Sequence, residues 1–590
     1  MRPLRIANCS GFFGDRMSAA AEMVNGGPID VLTGDYLAEL TMAILWRTRL
    51  RNPDGGYAST FLTQMEEILG TCLDRSIKVV SNAGGLNPAG LAERLAKVAG
   101  DLGLTPRIAY VDGDDLLGRL DGLQAEGHEF RHLDRGMPLA GARINPLTAN
   151  AYLGGWGIKE ALADGADVVV TGRVTDAALV IGPAAWHHDW RRDDWDALAG
   201  ALVAGHIIEC GAQASGGNYA FFHEVPELEH VGFPLVEMAE DGSCVVTKHP
   251  GTGGLVSVGT VTAQLLYEIG GVEYYNPDAT ALFDTINLEQ VGPDRVAVSG
   301  VRGVPPPPDL KVALNYLGGY RNSMTFGLAG LHIEDKARHL EAALWASMGG
   351  RETFARSDVR LIRSDRPDPL TNDDALAYLR VTVMDPDEHK VGRPFSRAAV
   401  ELALSHYPGF FVTSPPGDAT PYAVYWPTTI PAELVPMRVV VGDKSWEVSS
   451  IPPKTEDGRR KTQAPAMPRG PSPELPTSDF RLAPLGSIAG ARSGDKGGNA
   501  NVGFWVRSED AYQWLASYLT VEEIHRLLPE AEGLEIDRFE LPNLMAVNFV
   551  INGLLGEGVS SSTRTDAQAK SLGEFLRAKL VDIPEDLARN

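Results

Sequence analysis

The chain has 590 residues, 44% hydrophobic and 22% charged, a composition that buries a core and excludes disorder. At roughly 150 residues per domain, several units are expected rather than one small module. With 53 basic and 77 acidic residues the net charge is −24, which excludes a phosphate backbone as the expected partner.

Cys9, Cys72, Cys210 and Cys244 are scattered without a CxxC pair, which argues against a disulfide framework or a zinc knuckle. The N-terminus lacks the apolar stretch of a signal peptide, and no run approaches the roughly 18 apolar residues of a membrane span. A soluble, cytoplasmic protein with no membrane partner is predicted.

The first 180 residues alternate short β-rich runs with helical patterns, the sign of βαβ units and a mostly parallel sheet. The runs are Leu4 to Asn8, Ile29 to Thr33, Ile77 to Ser81, Ile108 to Val111 and Ala166 to Val170. Helices are predicted over Tyr36 to Arg49, Pro88 to Leu102 and Ala149 to Ala163. A Gly-rich, β-branched pattern from about 200 to 330 marks a sub-boundary near 200. A helix near 335 to 350, a strand over Tyr378 to Met384 and a helix over Ser396 to Leu404 complete an α/β region spanning 1–451.

The proline-rich stretch 452–480 reads as an extended linker. Beyond it, 481–590 is predicted as a small α+β domain of ferredoxin-like type. Its signals are a strand over Asn501 to Val506, a helix capped by Thr520 and ended by Pro529, a strand over Leu544 to Ile551, and a last helix over Asp566 to Leu580.

Ligands of open parallel sheets bind beyond the carboxyl ends of the strands. That rule selects Ser10, Asp15, Asp35, Asn82, Asn87, Asp112, Arg173 and Asp176, each in a turn after a β-rich run. Any one of these residues can simply make a turn or cap the next helix. Gly84, Gly85 and Asn87 precede a helix opening at Pro88, where free N–H groups suit a carboxylate or phosphate. Neither GxGxxG nor a Walker A sequence occurs, so no nucleotide or other cofactor is predicted.

His128-Glu-Phe-Arg-His132 has the form HExxH, but glycine, proline and charge surround it, and no third ligand follows. No metal is predicted; a zinc hydrolase stands as a third reading. Cys210, in a Gly-rich polar setting, becomes a nucleophile only if His206 or His223 folds close. Gly490 to Asn501 reads as a loop between two strands that carries Arg492, Ser493, Asp495, Lys496 and Asn499. Their density suits holding a carboxylate or moving a proton, or else an interface loop.

At these residues the chain resembles the acyclic terpene utilisation AtuA family nearly end to end. The N-terminal Ile-Ala-Asn-Cys-Ser-Gly-Phe-Phe-Gly-Asp-Arg, Asp30 to Glu39, Ser81 to Pro88, Thr171 to Ala177 and Glu209 to Gln213 carry the likeness. Ser493 to Asn499 resembles the ferredoxin-like domain that often follows in that family. The resemblance implies bacterial catabolism of citronellol- or geraniol-type terpenes, or related branched acids, as CoA thioesters. It supplies no catalytic residues, so the candidate site rests on the strand-end argument.

The expected enzyme hydrates, dehydrates or cleaves a branched acyl-CoA or hydroxy acid. Asp35, Asp112 and Asp176 are candidate bases, with Arg173, Asp495 and Lys496 as further catalytic groups. Ser10, Asn82, Gly84, Gly85, Asn87, Arg492, Ser493 and Asn499 are candidate substrate contacts. The alternative is a non-catalytic acyl-CoA-binding or scaffolding partner of a pathway carboxylase. A homo-oligomer acting on a small molecule, possibly a CoA thioester, is expected in the enzyme reading.

Overall fold

A computed structural model describes residues 2–451 and 480–587. The predicted linker, apart from Phe480, lies outside the described residues. Among these, no helix is long and apolar enough to cross a membrane.

The β-rich runs of the first 180 residues form five parallel strands: Leu4–Asn8, Val31–Gly34, Lys78–Ser81, Val168–Thr171 and Ile108–Asp112, side by side in that order. Most of their residues are buried, Ile108–Asp112 least so, as a sheet covered on both faces requires. Antiparallel strands extend it to eleven. Pro234–Met238, Cys244–Lys248, Arg295–Ser299 and Asn287–Gly292 lie on one flank, and Met437–Val441 and Lys444–Val448 on the other. The sheet is therefore mixed, with its parallel strands at the centre. The region after 200 supplies antiparallel strands to this same sheet.

Helices Ala19–Gly26, Ser59–Asp74 and Pro88–Asp101 pack together, and Trp156–Ala163, Ala178–His187 and Trp195–Ile208 form a second group. The predicted helix from Ala149 begins only at Trp156, because Pro146–Ala151 is a strand. Adjacent strands Lys78–Ser81 and Val168–Thr171 lead into different helix groups. This divergence opens a crevice beyond their carboxyl ends.

The C-terminal α+β domain has its own core, including Phe504, Trp514, Leu515, Phe549 and Leu576. Its sheet runs Gly490–Lys496, Asn499–Trp505, Ala546–Ile551, Ile536–Leu541, antiparallel throughout. This is a ferredoxin-like order in which the outer strand beside Asn499–Trp505 precedes the others in sequence instead of following them. The expected loop over Gly490 to Asn501 is instead a hairpin closed by Gly497 and Gly498, with Gly497 at φ 64°. The expected last helix is confined to Leu572–Arg577.

Two compact units result: Met1–Asn315 with Tyr425–Val559 and Gln568–Asn590, and Tyr316–Val424 with Ser560–Ala567. The small domain belongs to the first. In the second, helices Ile333–Ser347 and Arg393–Glu401 share a core with strands Arg356–Arg363 and Leu376–Asp385. Arg380 ties in the returning segment by donating to the Thr563 carbonyl at 2.7 Å.

Candidate active site

The central strands each deliver a polar residue to the crevice. Asp35, following Val31–Gly34, is buried and accepts the Leu37 N–H at 3.0 Å and the Asn82 amide at 2.6 Å. Asn82 in turn accepts the Tyr36 N–H at 2.8 Å, so the two turns are pinned together. Arg173, following Val168–Thr171, is 2% exposed; it donates to Asp176 at 2.6 Å and lies 4.2 Å from the Tyr152 ring centroid. Its main-chain N–H donates to Asp114 at 2.9 Å. Tyr152 donates to Glu39 at 2.9 Å, and Lys311 pairs with the same Glu39 oxygen at 3.3 Å.

Helix ends supply a second group. His206 ends Trp195–Ile208 with Nδ1 at 3.1 Å from Glu209 Oε1, and Cys210 follows. Gln264, near the end of Val258–Leu265, donates to the His206 carbonyl at 3.1 Å, and Tyr267 and Glu268 continue that turn.

The small domain closes the constellation with one strand. Side chains alternate faces along Gly490–Lys496, so Arg492, Gly494 and Lys496 share one face and Ser493 and Asp495 the other. Arg492 lies 4.3 Å from the Tyr267 ring centroid and donates to Gln213. Lys496 donates to the Glu268 carbonyl at 3.0 Å. Between them Gly494 fits closely, since a Cβ there would come within 2.5 Å of Tyr267. Ser493 instead donates to the Ala569 carbonyl at 2.7 Å and accepts the Gly573 N–H at 2.8 Å. Asp495 lies 3.8 Å from the Lys570 ammonium.

The side chains of Asp176, Glu39 and Glu268 keep 33%, 35% and 40% exposure, so water reaches the edge of the group. Crowding by protein shifts the proton affinities. Burial raises the Asp35 carboxyl well above its usual value, the charge of Asp176 adds, and Arg173 opposes. Burial likewise raises Glu209, with Asp176 and Glu268 adding, and Glu268, with Asp495 and Glu39 adding. Glu39 goes the other way: burial would raise it, but Lys311 and Arg173 outweigh that and bring it to about 2. Burial, reinforced by Lys311, lowers the Lys496 amine to about 8, and burial lowers His206 to about 4. Acids pushed apart in this way, beside an amine that titrates near neutrality, fit general acid–base chemistry.

Asp35, Asn82, Arg173, Asp176, Arg492 and Lys496 thus meet, with Asp495 at the margin. Ser10 is buried nearby, donating to the Phe12 carbonyl at 3.2 Å, and Asp15 accepts the Gly11 N–H at 2.8 Å. Asp112 faces elsewhere, pairing with Arg438 at 2.8 Å across neighbouring strands. Asn87 caps its helix by accepting the Gly90 N–H at 3.0 Å and donates to the Asp54 and Gly55 carbonyls. Gly84 and Gly85 are packed against Thr171, Pro88 and Leu45, so this turn is occupied by protein. Asn499 donates to Asp134 at 3.2 Å and lines a separate cavity of about 470 Å³ with His132, Arg135 and Asp537.

Glu39, Asp114, Glu209, Glu268, Tyr152 and Lys311 were not singled out by the strand-end rule. Glu39 and Glu209 lay inside or beside quoted motifs, whereas Glu268 and Lys311 carry no local signal. The HExxH string is not helical, and Phe130 within it has φ 47°. His132 packs against Trp426 with ring centroids 4.9 Å apart. Among the described residues no group of three His, Cys, Asp or Glu is placed to hold a metal ion. Burial, with Glu209 and Glu268 adding, raises the Cys210 thiol well above its usual value, which disfavours a resting thiolate.

Searches of curated proteins and of solved structures return no match. Two family profiles do match: Acyclic terpene utilisation family protein AtuA over residues 4–441, and AtuA ferredoxin-like domain over 483–582. These spans cover both the crevice and the strand that closes it, and the chain belongs to the acyclic terpene utilisation AtuA family.

Proposed function

We propose that this protein is a catabolic enzyme performing acid–base chemistry on a branched, terpene-derived acyl-CoA or hydroxy acid, by hydration, dehydration or retro-aldol cleavage. The family is one of acyclic terpene utilisation, a catabolic role. One observation carries the chemical reading: Lys496 of the small domain bonds to the turn of Glu268, within a constellation that includes protonation-prone Asp35 and Glu209.

Each reaction class needs one base and one acid. In dehydration, a base removes the proton beside the carbonyl and an acid protonates the departing hydroxyl. In retro-aldol cleavage, a base removes the hydroxyl proton and an acid protonates the carbon released. Lys496, neutral in part near pH 8, serves as the base, and the raised carboxyls supply the acid. Arg173 pairs with Asp176 at the edge of the group, and Lys311 and Arg173 keep Glu39 ionised there.

The test is incubation with branched enoyl-CoA, 3-hydroxyacyl-CoA and 3-hydroxyglutaryl-CoA compounds, followed by mass spectrometry. Gain or loss of water, or release of a two-carbon unit, abolished in Lys496→Met, supports the reading. Thermal stabilisation by these compounds without any mass change favours the acyl-CoA-binding alternative.

A further inference from the structure

Buried cations in this molecule generally face a carboxylate. Arg173, 2% exposed, has Asp176 at 2.6 Å, and Lys248, 8% exposed, has Asp294 at 3.2 Å. Arg492 breaks the pattern. It is 8% exposed, yet no carboxylate lies within 4 Å of it among the described residues. One of its five N–H groups donates to the neutral Gln213 side chain, and its flat face rests on Tyr267. A guanidinium mostly withdrawn from water without a directly paired anion is costly to hold unless something compensates it, and because no Arg492 nitrogen is both sealed from solvent and unbonded, its free N–H groups stay open to a bound anion.

From this we infer that Arg492 is an anion subsite, and that the substrate carries a free carboxylate besides the group that reacts near Lys496. The inference rests on the acid–base reading for the reacting end only. A carboxylate fits better than a phosphate. It is planar, singly charged and matches the single guanidinium fork. The strand sets the span: Arg492 and Lys496 are four residues apart on one face, about 13 Å between Cα atoms, and their side chains lean toward the same helix end. The substrate class is therefore an acyl group ending in a second carboxyl.

Calorimetry with glutarate, 3-methylglutarate, monomethyl glutarate, inorganic phosphate and CoA tests this on the full chain. The wild type should bind the two dicarboxylates, more weakly the monoester, and Arg492→Gln should weaken dicarboxylate binding by about 100-fold. Arg492→Lys, which keeps charge but loses the fork, should fall between. Gln213→Glu offers an internal carboxylate, so it should abolish dicarboxylate binding while raising Tm. That variant keeps the test sound if Arg492→Gln misfolds. Dicarboxylate binding that is absent, or equally strong in Arg492→Gln, overturns the subsite, as does Arg492-dependent binding of phosphate or CoA alone. Arg492-dependent binding without turnover of any acyl compound overturns the acid–base reading and leaves the subsite standing.

Discussion

Asn501 of the small domain accepts the main-chain N–H of Glu268 in the large domain at 2.8 Å. Both Asn501 and its neighbour Asn548 are fully buried, and Asn548 donates to the Ile269 carbonyl at 3.5 Å. The turn that carries Glu268 is thus held by side chains from another domain. Asn501→Leu strands a buried N–H, which should cost about 1–3 kcal/mol. It should also lower turnover by misplacing Glu268. Denaturant unfolding together with kcat/KM checks both; turnover at the wild-type level would remove Glu268 positioning from the account.

Lys496 sets the expected pH profile. Its amine, lowered to about 8, must be unprotonated to act as the base. The logarithm of kcat/KM should therefore rise with unit slope toward about pH 8 and turn down at higher pH, where the carboxyl that serves as the acid loses its proton. Lys496→Arg, which cannot lose its proton in this range, should be inactive with the fold retained. A profile that falls as pH rises toward 8 would show that the ammonium, not the amine, is the working form.

Asp112 is the contrasting case. Its partner Arg438 is 52% exposed, so the pair is screened by water, and Asp112→Ala should cost less than about 1 kcal/mol. Turnover should stay at the wild-type level. A loss of more than about tenfold would return Asp112 to the active site despite its position.

Asp114 makes stability depend on pH. Burial raises its carboxyl to about 7, so the fold favours the protonated form. The contribution is present below about pH 4, where the unfolded carboxyl is also protonated, and is lost as pH rises to about 7. Asp114→Asn lacks this titration. The stability difference between variant and wild type should shift in the variant's favour from pH 4 to pH 7.5, measured by chemical denaturation at a series of pH values. No change in that difference would mean Asp114 is ionised throughout.

The parallel centre of the sheet was legible because strand and helix patterns alternate strictly there, and the strand-end rule picked Asp35, Asn82 and Arg173, which the fold brings together. Asp112 lies apart from them for a local reason. The strand goes on pairing with Met437–Val441 through Asp112, which spends that side chain on Arg438, and the chain turns into the crevice only at Asp114. Lys311 and Glu268 arrive through long-range packing, which no local pattern encodes. The glycines of 490–501 hid a strand. The alternation of Arg492, Gly494 and Lys496 with Ser493 and Asp495 is visible only once the hairpin is known.

That strand is the outermost of its sheet, so a single ladder, from Gly490 opposite Trp505 to Lys496 opposite Asn499, fixes its register. A slip of one residue would turn Arg492 and Lys496 away and present Ser493 and Asp495 to the crevice. It would also bring a side chain against the Tyr267 ring, where only glycine fits. Tyr267 therefore acts as a proofreader of the hairpin: only the alignment that puts Gly494 against its ring lets the two domains pack as they do.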